Sequence, residues 1–377
     1  MLTGQSRPQQ YSRIKERLAL VGTAASLAGG VLFVATGMAR ALNDKMLPRR
    51  PTSLERVRYQ TTLALGSWVT GIPLAFYSGY VIEKRFGLSN QSRSAWAADQ
   101  VKAETMSLPV QIALVEGMQW TMRRWPRHWW VIVSGAAIPL TSLLMFIFPV
   151  LIAPRFNRYE PLKDPELSSR LYDLAERSHL NVAEIMQMDM SRRTSKANAF
   201  FAGIGSSKRI VVSDTMLDTF THEEIETVVA HEAGHQVNRD LWRNIAATSL
   251  LTLAIAAATD FAGRRVLSAR PGLVGTSDLG DPRAVAVIGI AFGIAGTMLT
   301  PLQLAHSRWI ERRTDRFALE LTNNGDAYAS ALEKLAETNL ADPDPPRWVS
   351  VLLHSHPPIS DRVAAARSHA ASGGSTG

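Results

Sequence analysis

Thr221-His222-Glu223-Glu224-Ile225-Glu226-Thr227-Val228-Val229-Ala230-His231-Glu232-Ala233-Gly234-His235-Gln236-Val237 is the stretch on which the reading of the chain turns. Thr221 followed three residues later by Glu224 is a capping-box signature, so the spacing predicts a helix over 221–237. On such a helix His231 and His235 lie one turn apart on one face, and both imidazoles can reach a single metal ion. Glu232 stands about 100° round the helix. From there it can accept a proton from a metal-bound water without itself becoming a ligand, which is the arrangement of zinc hydrolases. Zinc lowers the pKa of its bound water to about 7, and Glu232 as general base completes the deprotonation.

Two histidines and a water leave one protein ligand to find. Glu311-Arg312-Arg313-Thr314-Asp315 follows the last apolar block on a segment of helical character. Glu311 and Asp315 are one turn apart there. Glu311 can ligate, and Asp315 can accept the free N–H of a ligand histidine. His306, little more than a turn earlier, is a rival ligand, and spacing alone does not choose between them.

Around these motifs the chain reads as an integral membrane protein. It has 377 residues, 46% apolar and only 20% charged, with a formal net charge of +8. That balance argues against a disordered chain and against a nucleic-acid partner. There are no cysteines, so disulfides, thiolate metal sites, a cysteine nucleophile and sulfur-linked lipid anchors are excluded. Residues 18–39, 59–82, 129–154 and 284–305 carry no Lys, Arg, Asp or Glu. Each has the roughly 20 residues that a helix needs to cross a bilayer. Residues 105–122, interrupted by Glu116, and 244–266, interrupted by Asp260, Arg264 and Arg265, are two further candidates. Intramembrane carboxylates are costly, so Glu116 and Asp260 are expected to be paired or to face water inside the bundle. The first block reads as an uncleaved helix, because no small-residue cleavage site precedes the basic stretch 40–58. Arg7, Arg13, Lys15 and Arg17 precede that block, and Arg40, Lys45, Arg49, Arg50, Arg56 and Arg58 follow it, so charge does not settle its orientation.

Four parts follow: a membrane bundle over 1–153, a soluble insertion with the two histidines over 154–243, two further membrane helices over 244–306, and a helical tail over 307–377. Within the insertion a helix is predicted over 164–179 and strands over 184–190 and 209–212. In the tail, helices are predicted over 307–321 and 326–338, a Pro-rich break over 342–346, and disorder over 372–377.

At this level of detail the chain resembles the Ste24-type membrane zinc metalloproteases, the type I CAAX prenyl proteases of peptidase family M48. The resemblance rests on several separated motifs: Phe86-Gly87-Leu88-Ser89 onward to Lys102, Phe148-Pro149 onward to Leu162, and Ser195 to Gly203 with Asn198-Ala199-Phe200. Arg209-Ile210-Val211-Val212-Ser213-Asp214-Thr215, His231 to His235, Glu311 to Asp315, and Ser355-His356-Pro357-Pro358 to Arg362 complete it. Gln236 to Asp240 departs from the eukaryotic members, which carry an aromatic residue directly after the second histidine.

The resemblance implies a mainly α, polytopic, chamber-forming bundle of six or seven helices, six being countable here, with a small zincin-like α+β protease domain. It implies one zinc ion per chain on His231, His235 and Glu311, with Asp315 supporting a ligand histidine. Glu232 would be the base and His356 the donor to the oxyanion, while His354 does not match the motif. Asn198 and Ala199 would hold the substrate backbone by strand addition, and Arg362 would bind a substrate carbonyl or carboxylate. The implied partners are membrane lipid and a peptide or lipidated-peptide substrate; oligomerisation is not required, and the protease domain is expected on the cytoplasmic face. Two other readings stand beside a CAAX-type endopeptidase: a broad-specificity quality-control membrane protease, and a catalytically silent transporter or scaffold.

Overall fold

The computed structural model describes residues 6–147, 155–203 and 205–373. The chain opens with α1 (Arg7–Ala35), capped by Ser6, and a left-handed Gly37 turns it into the short α2 (Met38–Met46). α3 (Ser53–Phe76) starts at a Thr52/Glu55 capping box and contains Pro73. It runs on through a π-helical turn at Tyr77–Val81 into α4 (Ile82–Arg85). α5 (Arg93–Arg124) and α6 (Trp129–Ile147) complete the first membrane part. The end of the block expected over 129–154, and the first seven residues of the motif beginning at Phe148, lie outside the described residues.

The insertion is α+β. β1 (Tyr159–Pro161) is followed by α7 (Pro165–Arg177), whose first turn is capped by the Asp164 carboxylate accepting from Leu167 N at 2.9 Å. Then come β2 (Glu184–Met188), β3 (Ala199–Ala202), β4 (Arg209–Ser213) and the single turn α8 (Asp214–Leu217). The sheet order is β1-β2-β4-β3, with β2 parallel to β4 and the other pairings antiparallel. β3 is therefore an edge strand. The expected strand over 184–190 ends at Met188 because Asp189 leaves the ladder for a 3-10 turn.

α9 (His222–Val237) begins at the expected capping box, with both reciprocal bonds formed between Thr221 and Glu224. A left-handed Arg239 reverses the chain into α10 (Asp240–Ala269). α11 (Val285–Thr322) follows, a single helix of 38 residues. The separate span over 284–305 and helix over 307–321 are thus one rod: no glycine or proline stands between Ala305 and Ser307, and Pro301 is absorbed within the helix. α12 (Gly325–Asn339), α13 (Arg347–Leu353) and α14 (Ile359–Gly373) close the fold. Ser372 and Gly373, expected to be disordered, lie in α14; the last four residues are outside the described ones.

Among the described residues, α1, α10 and the segment Pro282–Thr322 are long and apolar enough to cross a membrane, and Trp129–Leu143 is a shorter apolar helix. The block over 59–82 is helical but falls short of that apolarity, because Ser, Thr, Gly and Tyr dilute it. One face of it explains why. Gln60, Ser67, Trp68 and Ile72 line a cavity of about 670 Å³ between α3, α5 and α11. Glu116 and Asp260 do not line that cavity. Glu116 pairs with Arg56 at 2.9 Å and accepts from Gln60 at 2.6 Å, while Asp260 pairs with Arg264 and accepts from Trp129 Nε1 at 2.6 Å. Pairing, not exposure to the cavity, accommodates both carboxylates.

One hydrophobic core joins the insertion and the tail. Leu167, Leu171, Ile210, Val212, Ile225 and Val229 pack with Ala318, Tyr328, Leu332 and Ala366. Each such large buried apolar side chain contributes about 1.5–3 kcal/mol. A smaller cluster of Tyr11, Ile82, Phe86, Leu88 and Leu340 fastens this domain to the bundle. The closest approach of α9 to α11 is at Gly234, where an added Cβ would sit 2.9 Å from both Phe317 Cδ1 and Thr314 Cγ2. Gly234→Ala is expected to lower stability by about 1–3 kcal/mol through overpacking. Thermal unfolding of the detergent-solubilised protein measures this; an unchanged midpoint would show that α11 yields freely.

Candidate metal centre

α9 and α11 bring together what lies 76 residues or more apart in sequence, His231 and His235 on one helix and Glu311 on the other. One ligand atom from each falls within 4.8 Å of the others. His231 Nε2 is 3.3 Å from Glu311 Oε2, and His235 Nε2 is 3.6 Å from Glu311 Oε1. The two imidazole planes stand at 88°, so their nitrogens converge from different directions. Glu311 is 6% exposed, and its Oε2 is buried without a hydrogen-bond partner despite these neighbours. A buried carboxylate whose two oxygens each face one imidazole nitrogen, one of them with no hydrogen-bond partner, fits a divalent cation. His306, the rival ligand, is not part of the cluster; its ring stacks on Trp309 at 6.0 Å.

The other nitrogen of each histidine is fixed by a carboxylate. His231 Nδ1 lies 2.9 Å from Asp315 Oδ1 and 3.1 Å from the Tyr328 hydroxyl. His235 Nδ1 lies 3.0 Å from Asp240 Oδ2. A proton on each Nδ1, held by these acceptors, leaves Nε2 as the lone pair that faces Glu311. Behind each carboxylate stands an arginine. Arg362 donates through Nε to Asp315 Oδ2 at 2.8 Å and through a terminal nitrogen to Oδ1 at 2.7 Å; Arg313 pairs with Asp240, which is 1% exposed. Asp240 was not singled out from the sequence. Its signal was there: an acid five residues after the second histidine, opening the next helix.

Electrostatics follow the same design. Burial alone would push the His231 imidazole pKa down, but the carboxylates of Asp315 and Glu311 beside it overcome that and raise it to about 9. This pocket favours positive charge. Burial raises the Glu232 carboxyl pKa above its ordinary value, while His231 and His235 oppose the rise.

The remaining expected residues surround this centre. His356 lies in the turn between α13 and α14, exposed, with Nε2 at 3.4 Å from Glu311 Oε2 and Nδ1 at 2.9 Å from Ser355 Oγ. Asn198 is exposed immediately before β3, bonded to β4 through Ser213 N and Oγ, and Ala199 is the buried first residue of β3. β3 itself packs against α9. Arg362, expected at a substrate carbonyl or carboxylate, has an 11% exposed side chain committed to Asp315 and the Tyr328 hydroxyl. The geometry places it behind His231 in the line Arg362–Asp315–His231.

Known proteins resemble this chain over most of its length. The sequence pattern of Peptidase family M48 matches residues 161–370, more than half of the chain, and that of the CAAX prenyl protease N-terminal part, described as five membrane helices, matches residues 5–158. Within that second range the described residues contain four long helical runs and the short α2. A Bacillus subtilis protein named "Uncharacterized metalloprotease YhfN" is 29% identical over 94% of this chain and 83% of its own length. CAAX prenyl protease 1 of Saccharomyces cerevisiae is 27% identical over 95% and 84%. The crystal structure of S. mikatae Ste24p superposes with a TM-score of 0.84 at 24% identity, covering 95% of this chain and 88% of that one, and so shares the fold.

Because Asp240 and Asp315 each fix one ligand histidine, Asp240→Asn and Asp315→Asn are each expected to weaken metal affinity by about 10–100-fold. Competition with a metal-sensitive chelator measures this. Wild-type affinity in either variant would sink the assignment of that carboxylate.

Proposed function

Because this chain belongs to peptidase family M48 and is a membrane metalloendopeptidase, we propose that it holds one zinc ion on His231, His235 and Glu311 and cleaves prenylated peptides of the CAAX type. The observation that carries the reading is the cluster itself: three convergent donors, two of them oriented by buried acids, with Glu232 beside them on the same helix. Two neutral imidazoles and one carboxylate suit zinc by ligand type and leave a fourth position for water or substrate. When bound, zinc supplies a Lewis acid that brings the pKa of water to about 7.

The chain's own residues do the rest. Glu232 takes the proton of the attacking water and passes it to the leaving amine. His356, on the open side of Glu311, donates a hydrogen bond to the oxyanion as the carbonyl becomes tetrahedral. The free edge of β3, led by Asn198 and Ala199, receives an extended substrate backbone as an added strand. Asp315 with Arg362, and Asp240 with Arg313, hold the imidazoles in one tautomer through the cycle. Arg362 thereby serves the reaction from behind a histidine, with no substrate contact required. In this reading the protease domain faces the cytoplasm, a single copy suffices, and substrate arrives from the lipid.

The prenyl specificity is taken from the relatives named CAAX prenyl protease 1. A broad-specificity membrane protease is the second reading, favoured by the cavity lining, in which Trp68, Ile72 and Val115 stand beside Gln60, Glu104 and Gln111 and would accept lipidated and plain peptides alike. Quenched fluorescent peptides with and without a farnesylated cysteine, given to detergent-purified protein, separate the two. Selective cleavage of the farnesylated peptide, lost with a chelator, is expected; equal cleavage of both overturns the prenyl specificity and keeps the protease. Glu232→Gln is expected to lose about 10²–10⁴-fold in kcat with metal content unchanged, and full activity in that variant would remove Glu232 as base. Orientation has its own readout, since the chain lacks cysteine. Ser372→Cys in intact cells is expected to resist a membrane-impermeant maleimide until the cells are opened; labelling of intact cells reverses the orientation.

A further inference from the structure

His354, two residues before His356, has no part in the reaction above, yet its side chain pairs with Glu16 of the membrane helix α1. Its Nε2 lies 3.2 Å from Oε1 of Glu16, on the third turn of α1, and the Glu16 side chain is only 12% exposed. His354 ends α13 in an extended conformation, φ −106° and ψ 129°, so the chain leaves the helix there and carries Ser355 and His356 toward Glu311. Arg308, one turn before Glu311 on α11, donates to the carbonyls of Ser350 at 2.8 Å and His354 at 2.7 Å. Pro357 and Pro358 restrict the backbone on the far side, and Ser360 N bonds to Pro343 O at 2.9 Å.

The His354–Pro358 turn is thus tied at three points. Arg308 holds its backbone to the helix that carries Glu311, Pro343 holds its exit, and Glu16 holds the His354 side chain, two residues before His356. The turn of α1 before Glu16 also binds the rest of the protease domain. Ser12 Oγ donates to Leu340 O and accepts from Asp342 N, while Tyr11 meets Lys196 just ahead of β3. Those contacts are enough to dock the helix. The pair between Glu16 and His354 adds something different, because it acts on the one segment that carries the oxyanion donor and fixes the register of that turn against a membrane helix.

We propose that Glu16 is a positioning residue for catalysis: through His354 it holds the turn so that His356 Nε2 stands over the metal centre. The proposal rests on the reading of His356 as the oxyanion donor. A misplacement of about 1 Å in such a group costs up to about 10²-fold in rate, and complete loss of an oxyanion donor costs about 10²–10³-fold.

The test uses full-length, metal-loaded protein in detergent, a quenched fluorescent peptide, and a phosphinic peptide that mimics the tetrahedral carbon. His356→Ala is expected to lower kcat by about 100-fold or more. Glu16→Ala and His354→Ala are each expected to lower kcat by about tenfold with KM and metal content unchanged. Phosphinic-peptide affinity should weaken in proportion. The double variant should be no worse than either single one, and Glu16→Gln, which still accepts a hydrogen bond, should recover most of the rate. If His356→Ala loses activity while Glu16→Ala keeps it, the positioning role is wrong and the function of His356 stands. If His356→Ala is fully active, both fall. If Glu16→Ala and Glu16→Gln are equally unstable and equally slow, with KM raised, Glu16 only docks α1 and the proposal is overturned.

Discussion

The crossing of α9 over α11 is the contact from which the rest of this structure follows. Gly234 has no side chain, so Thr314 and Phe317 can lie directly against the α9 backbone. That distance decides whether Glu311 reaches the nitrogens of His231 and His235 or stops short of them. Gly234, which lies between the two histidines and carries no reactive group, therefore sets the geometry of the cluster. A helix pair is also a stiff way to hold it, since ligands on packed helices shift less than ligands on loops.

Burying an acid and two imidazoles together is unfavourable unless each group is answered. Here the answers come in two matching lines. Arg362, Asp315 and Tyr328 stand behind His231; Arg313, Asp240 and Thr314 stand behind His235. Each line orients one ring and leaves its other nitrogen pointing at Glu311. Because Asp315, Thr314 and Arg313 all lie on α11, the helix that supplies the third donor also supplies much of the support for the first two. The site is built from two helices, with α10, α12 and α14 each adding one side chain.

The union of the protease with the membrane has a comparable economy. α11 passes without interruption from its apolar half to Glu311, so the position of the metal centre is fixed by a membrane helix. α1 reaches the same domain from the other side, through Tyr11, Ser12 and Glu16. Within the bundle, polar groups are settled locally: Arg56, Gln60 and Glu116 form one network, and Trp129, Asp260 and Arg264 another. The segment over 59–82 can be less apolar than its neighbours because part of it borders the cavity.

Local features were readable from the residues alone, since their causes are local. The capping box at Thr221, the one-turn spacing of His231 and His235, the Pro165 helix start and the charge-free blocks depend on neighbours within a few positions. They established the class of chemistry and the membrane setting. The choice of Glu311 over His306 was of another kind: both are polar residues near the end of an apolar helix, and only the packing of α9 on α11 brings Glu311 to the two histidines, while His306 stacks on Trp309 of its own helix. Tyr328 is likewise an ordinary residue until the fold sets it beside an imidazole. Arg362 and His354 acquire their partners, Asp315 and Glu16, across 47 and 338 positions. Periodicity and capping act over one turn of chain, whereas a ligand set and its supporting charges are defined by distances across the core, and those exist only once the helices have packed.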